Sequence, residues 1–262
     1  MKKEEKLVKK VKRLLKRLGY PRWLHHFGPK TYELYQHLVA LLMRAFCRLS
    51  YRRVAKLFDL LGMICPSKSA LQYTAKKLTA SFWQRILKIT ASNPYIVAID
   101  STGFSRTHPS YHYLKRIDGK IPKIPVKMSC SLDTRSKKFC SAKIRVLPAH
   151  DIKDAQELLK KSNPQIGVLD KAYSAETLYR FALEQNILLM IPMKKNVKRG
   201  WARKKMHLKF RKRTYNRRQL VEAGIGSIKR KFGASVSSKT VRTIRTEVYG
   251  RLICHNLFGR YY

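Results

Sequence analysis

Two apolar runs of buried-strand type, each ending in an aspartate, constrain the fold of this chain more than any other feature. Tyr95-Ile96-Val97-Ala98-Ile99 is rich in β-branched residues and runs into Asp100, and Ile166-Gly167-Val168-Leu169 runs into Asp170. Strands with no polar alternation are buried on both faces. The stretches around them read as helices, so the second part of the chain is of α/β type. Asp100 precedes Ser101-Thr102-Gly103, so it either starts a turn or stands in a site at a strand end.

The elements between and after these runs follow from their punctuation. Residues 126–132 and 139–146 flank Asp133-Thr134-Arg135-Ser136-Lys137-Lys138, whose composition is that of a hairpin turn between antiparallel strands. Asp151 and Asp154 open a helix reaching about residue 161, and capping accounts for both. Ser174 caps a further helix to about residue 186, and residues 187–192 make another strand. Residues 193–214 are a basic loop, and Lys194, Lys195, Lys198, Arg199, Arg211 and Arg213 carry its charge without an acid between them. A solvated loop of that composition repels itself, so contact with phosphates explains it better. Trp201 within it either stacks on an unpaired base or anchors the loop to the body.

Residues 214–233 read as one helix with two adjacent faces. At about 100° per residue, Val221, Ile225, Ile228 and Phe232 form a narrow apolar stripe. Tyr215, Arg218, Glu222 and Lys229 project along its edge. Arg218 and Glu222 are an i,i+4 pair of a kind that often only decorates a solvated face. However, Glu222 is the first acid after Glu184, and Gly224 and Gly226 follow it. Helix glycines cost about 1 kcal/mol each relative to alanine, which is tolerated where another backbone comes close. Close approach of a nucleic-acid strand at Gly226 is the expectation.

Residues 1–92 form a helical region. Leu7, Val11, Leu14, Leu15 and Leu18 are spaced as one face of a basic amphipathic helix. Residues 31–49 read as a core helix. Ser50 caps a helix that ends at Gly62, and another follows from Ser67. These two suit a helix-turn-helix, with Arg52, Arg53, Lys68, Gln72 and Lys76 as candidate DNA contacts; the alternative is an ordinary helical bundle. Asn93-Pro94 then closes the region, and residues 93–262 form the second one. The adjacent pair His25 and His26 lacks partners at metal-ligand spacing.

Charge selects among partners. The chain carries 58 Lys and Arg against 15 Asp and Glu, a net +43. Such a charge destabilises a compact protein unless a polyanion screens it. Nucleic acid is the expected polyanion, because no apolar run is long enough to span a bilayer. Five cysteines without paired or zinc-ligand spacing fit a reducing cytosol. Cys130 and Cys140 either face each other across the hairpin or are buried free thiols. The N-terminus lacks the apolar core of a signal peptide, so a cytoplasmic, nucleoid-associated location is expected.

In order, the elements are a strand ending in Asp100, two strands, a helix, a strand ending in Asp170, a helix, a strand, a basic stretch and a helix carrying Glu222. This resembles the RNase H-like fold, in which the first and fourth strands are neighbours and a late helix packs beside them. Tyr215, Arg218, Glu222 and Lys229 reproduce Tyr-x2-Arg-x3-Glu-x6-Lys, the signature of prokaryotic insertion-sequence DDE transposases. Ile99-Asp100-Ser101-Thr102-Gly103 and Leu169-Asp170-Lys171-Ala172-Tyr173 resemble the segments around that family's two aspartates, and Ala149-His150-Asp151 is also similar to a stretch of the group. The resemblance spans about residues 50–258.

It implies an enzyme that binds the terminal inverted repeats of its element, hydrolyses phosphodiesters at the ends and joins the freed 3′-hydroxyl to target DNA. Asp100, Asp170 and Glu222 would be catalytic and hold two divalent cations, Mg2+ with Mn2+ able to substitute. Tyr215, Arg218 and Lys229 would bind phosphates, and a homodimer is expected on double-stranded DNA. The interval from Asp170 to Glu222 leaves no room for the large β insertion of some relatives, so a donor-end hairpin is not implied. His112 and His150 receive no role. The alternatives are an RNase H-like structure-specific nuclease and a non-catalytic basic DNA-binding descendant.

Overall fold

The computed structural model describes residues 3–25, 27, 30–91, 93–106, 126–147, 149–193 and 199–259, with side chains from residue 7 onward. They divide into two compact units, Met1–Thr90 together with Lys239–Tyr262, and Ala91–Ser238.

The first unit contains α1 (Lys3–Arg17), α2 (Leu34–Cys47), α3 (Tyr51–Leu60), α4 (Lys68–Lys77), α5 (Ala80–Thr90) and a closing helix, Val241–Phe258. Leu7, Val11, Leu14 and Leu15 of α1 are buried, as an amphipathic helix requires. Ser50 and Ser67 accept from the backbone N–H groups of Arg53 and Ala70 at 3.2 and 3.3 Å, capping α3 and α4. The closing helix departs from the expected boundary, which placed residues 93–262 in one region. Its buried residues, Thr243, Ile244, Val248, Tyr249, Leu252 and Ile253, are spread around the axis, so no stripe in the sequence shows which neighbours it meets. Thr246 Oγ1 accepts from Trp83 Nε1 at 3.1 Å and donates to the Ala75 carbonyl at 2.9 Å. A β-carbon on Gly250 would stand 2.9 Å from that of Ala45, so close packing on α2 requires glycine.

The second unit runs β1 (Ile96–Arg106), β2 (Val126–Asp133), β3 (Phe139–Arg145), α6 (Ile152–Ser162), β4 (Ile166–Leu169), a 3-10 turn (Lys171–Tyr173), α7 (Glu176–Glu184) and β5 (Leu188–Met190). It continues with α8 (Trp201–His207), α9 (Lys212–Tyr215), a 3-10 turn (Asn216–Arg218), α10 (Gln219–Phe232) and β6 (Ser235–Val236). The sheet order is β3-β2-β1-β4-β5, with β6 beside the far end of β1. β1, β2 and β3 are antiparallel neighbours, while β4 and β5 continue from β1 in parallel. This is an RNase H-like mixed sheet flanked by helices.

Strand alternation divides the core. Val97 and Ile99 pack with Leu158, Leu159, Leu178 and Tyr179 of α6 and α7. Ile96 and Val168 belong to a second cluster with Met190, against which Phe210 and Tyr215 pack. α10 lies on that second face, where its buried stripe is Val221, Ile225, Ile228 and Phe232.

Several local expectations differ from the structure. β1 does not stop at Asp100 but continues to Arg106, because its pairing with β2 extends from Val97↔Asp133 to Phe104↔Val126. Neither Asp151 nor Asp154 acts as a cap. Asp154 is fully buried and accepts from Ser129 Oγ at 2.9 Å and Arg145 Nε at 2.7 Å, tying α6 to the sheet. α7 begins at Glu176, not at Ser174, because a 3-10 turn follows β4. The basic loop holds α8 and α9, and α8 is seated by buried Ala202 and Met206. Trp201 is 58 % exposed and does not anchor it. Cys130 pairs in register with Ala142, and both Cys130 and Cys140 are buried free thiols.

Candidate active site

The register of the central strands brings the two aspartates together. The last parallel pair between β1 and β4 is Ile99↔Leu169, so Asp100 and Asp170 follow at neighbouring positions where β4 leaves the sheet. Beyond that point β1 continues against β2, and Asp100 pairs with Cys130. By alternation Asp100 shares a face with Ile96, and Asp170 with Val168, which is the face covered by α10.

α10 brings the third carboxylate. A β-carbon on Gly224 would fall 2.6 Å from Leu132 Cδ1 and 3.3 Å from Phe139 Cζ, so the glycine lets the helix lie directly on β2 and β3. Glu222, two residues earlier, is on the rim, with its side chain 47 % exposed and its Oε1 accepting from Arg218 at 2.5 Å. Burial raises the Asp100 pKa above the usual carboxylate range, opposed by the Ser101 N–H; Glu222 raises it, Arg218 lowers it and Asp170 raises it again. The three carboxylates therefore interact through space. Tyr215 and Arg218 both interact electrostatically with Asp170, and Lys229 Nζ stands 5.8 Å from the Phe104 ring centre, farther along β1.

The strand ends are held from behind by groups that sequence reasoning did not assign. The Ser101 N–H donates to Asp100 Oδ1 at 2.8 Å, and Ser101 Oγ, on the opposite face of the strand, donates to Asp151 Oδ1 at 2.7 Å. Lys127 pairs with Asp151 and donates to the Ala149 carbonyl. Asp170 Oδ1 accepts from the Lys171 N–H at 2.7 Å, capping the 3-10 turn. The similarity of Ala149-His150-Asp151 to a transposase stretch was the one signal in the sequence for this support. His150 is exposed, and His112 lies outside the described residues.

The remaining candidate DNA contacts are spread over both units. Arg52 and Arg53 on α3, and Lys68, Gln72 and Lys76 on α4, are all exposed. Arg199, Arg211 and Arg213 are exposed in the basic stretch, whereas Lys194, Lys195 and Lys198 lie outside the described residues. Glu176 receives the first N–H groups of α8, from Ala202 at 3.0 Å and Arg203 at 3.4 Å. This seats the basic helix and presents Trp201 at its start.

An oxygen-only set of three carboxylates suits a hard divalent cation, and the crowding of negative charge on Asp100 is what such a cation relieves. Among the described residues, no three His, Cys, Asp or Glu side chains are gathered closely enough to hold a metal ion. Arg218 occupies Glu222, and backbone N–H groups occupy one oxygen each of Asp100 and Asp170. The donor chemistry thus fits, with Glu222 Oε1 held by Arg218. Among the described residues, no helix is long and apolar enough to cross a membrane.

A family model described as the transposase DDE domain matches residues 91–257. No curated protein matches the sequence. Among solved structures, the piggyBac transposase synaptic complex with hairpin DNA is similar over 97 % of this chain and 73 % of that one, at 12 % identity and a TM-score of 0.43.

Proposed function

The chain belongs to the transposase DDE domain family, and from that premise we propose that it is a prokaryotic insertion-sequence transposase whose catalytic carboxylates are Asp100, Asp170 and Glu222. It binds the terminal inverted repeats of its element, hydrolyses phosphodiesters at the ends and joins the 3′-hydroxyl to target DNA. The observation that supports this reading is the register that sets Asp100 and Asp170 at neighbouring positions, with Glu222 of α10 near enough to act electrostatically on Asp100, although the three are not gathered into a metal-binding cluster among the described residues.

These three side chains would hold two divalent cations, magnesium or manganese, which when bound lower the pKa of an attacking water and neutralise charge on the phosphodiester. The chain's own groups do the rest. The parallel pair Ile99↔Leu169 fixes the spacing of the two aspartates, and the Ser101–Asp151–Lys127 contacts hold β1 in place behind them. Arg218 keeps Glu222 oriented and is then released toward a phosphate, where a guanidinium binds bidentately. Tyr215 and Lys229 flank this point and position the strand. Exposed Arg52, Arg53, Lys68, Gln72 and Lys76 read the repeats, and the basic stretch, with Lys194, Lys195, Lys198, Arg199, Arg211 and Arg213, follows the backbone. Trp201 stacks on an exposed base. Two ends are cut together by a homodimer in the cytoplasm.

The test is incubation with labelled duplexes carrying the repeats that flank the gene, with a supercoiled plasmid as target. Cleavage at the repeat boundary together with labelled, plasmid-joined product is expected in magnesium or manganese. Cleavage directed to junctions or flaps instead, with no joined product, would make the chain a structure-specific nuclease. Binding without any chemistry would make it a non-catalytic descendant.

A further inference from the structure

At the start of β1, four residues before Asp100 and so about 13 Å along the strand from it, a groove opens on the second unit. It has a volume of about 580 Å3 and is lined by Tyr95, Ile96, Thr134, Arg135, Arg217 and Leu220. Three segments meet there for reasons of register. Val97 pairs with Asp133, and the Thr134 N–H donates to the Ile96 carbonyl at 3.1 Å, which sets the β2–β3 turn beside the entry to β1. The Asp133 carboxylate receives the Arg135 and Ser136 N–H groups at 3.0 and 3.1 Å, so the turn that carries Arg135 is rigid. The 3-10 turn before α10 brings Arg217, and the first turn of α10 brings Leu220, from the other side.

The lining divides by chemistry. Ile96 and Leu220 are apolar, and Tyr95 is an aromatic ring left 62 % exposed. Arg135 and Arg217 are exposed, and neither forms an ion pair among the described residues. Thr134 is 7 % exposed, yet its hydroxyl has no hydrogen-bond partner. That oxygen is shielded from the groove, so Thr134 shapes the wall through its other atoms. Two guanidinium groups favour a phosphate, and an exposed aromatic ring favours the face of a base.

We propose that this groove is a nucleotide subsite that holds one phosphate and an adjoining unpaired base of a DNA strand, apart from the carboxylate site. Its identity as a DNA site rests on the transposase reading, but its chemistry does not use the carboxylates. Arg135 and Arg217 clamp the phosphate, and Tyr95 stacks on the base.

The test is fluorescence anisotropy of a labelled repeat duplex with a single-stranded extension, measured across a salt series and followed also by quenching of 2-aminopurine in the extension. Compared with wild type, Arg135→Ala with Arg217→Ala is expected to weaken binding and to make the slope of log K against log salt shallower by about 1 to 2. Lys153→Ala with Lys160→Ala, two exposed lysines of α6, serves as the charge-matched control and keeps the wild-type slope. Tyr95→Ala is expected to abolish the quenching and Tyr95→Phe to preserve it. Equal affinity, slope and quenching in all groove variants would overturn the proposal. Binding of deoxyadenosine monophosphate that the groove substitutions abolish, with DNA affinity and salt slope unchanged in the same variants, would reassign the groove to free nucleotides and overturn it equally. Because every readout is binding, a chain that never cuts DNA still decides the question.

Discussion

At the residue scale, buried polar groups set both the site and its support. Asp154 is fully buried and neutralised by Arg145, with Ser129 as a further donor. Asp154→Asn leaves the guanidinium without its anion, which is expected to cost about 3 kcal/mol and to lower the denaturation midpoint; an unchanged midpoint would show that the pair contributes nothing to the fold. His37 gives the pH dependence. It is buried with Nδ1 2.9 Å from Thr74 Oγ1, and burial, aided by His25, lowers its pKa to about 4. A free histidine titrates near 6.5, so below that pH the unfolded chain takes up a proton that the folded one refuses. Stability is complete above about pH 6.5 and falls by up to about 1.4 kcal/mol per unit as pH drops toward 4. Denaturant titrations at pH 7 and 5 should show that loss in wild type and a smaller one in His37→Gln; parallel losses would place the proton elsewhere. Sequence patterns made Asp100, Asp170 and Glu222 legible, because two end apolar runs and the third stands on a stripe edge. They misassigned Asp151 and Asp154, since an acid in a first helical turn looks the same whether it caps the helix or reaches across to a strand.

At the element scale, α10 connects the fold to the chemistry, and its two glycines separate the two uses. Gly224 faces Leu132 and Phe139, whereas a β-carbon on Gly226 would meet nothing within 4 Å. Gly224→Ala is therefore expected to destabilise by about 1–2 kcal/mol through overpacking, despite better helix propensity. Gly226→Ala is expected to stabilise by up to about 1 kcal/mol and, if DNA passes close there, to weaken repeat binding. Melting temperatures moving the same way in both variants would refute this division. The stripe and charged edge made the helix readable and set Gly226 on the charged flank, but the single helix expected over residues 214–233 is broken by the 3-10 turn Asn216–Arg218, so Tyr215 and Arg218 precede α10. The extension of β1 past Asp100 was hidden as well. Its second half pairs with β2 on one side only from Asp100 to Phe104, so Ser101, Thr102 and Gly103 carry the composition of a turn.

At the scale of the whole molecule, the strand order and the net charge of +43 make the fold and its partner parts of one account. Self-repulsion of that size is relieved by counterions or by a polyanion, so the melting temperature of the free chain should rise with added salt and rise further with duplex DNA at low salt. A melting temperature insensitive to both would contradict the polyanion argument. The adjacency of the first and fourth strands was legible only through the resemblance to the RNase H-like fold. The grouping of Lys239–Tyr262 with the first ninety residues was not, because a helix with apolar residues all round names no partner. The central claim is that Asp100, Asp170 and Glu222 act as one site. It is tested most directly by comparing wild type with Asp100→Asn, Asp170→Asn and Glu222→Gln in cleavage of labelled repeat DNA under magnesium, with anisotropy on the same DNA. The account predicts that each substitution removes cleavage by at least about a hundredfold while repeat binding persists. Wild-type cleavage rates in any one of the three, with fold and binding intact, would contradict it.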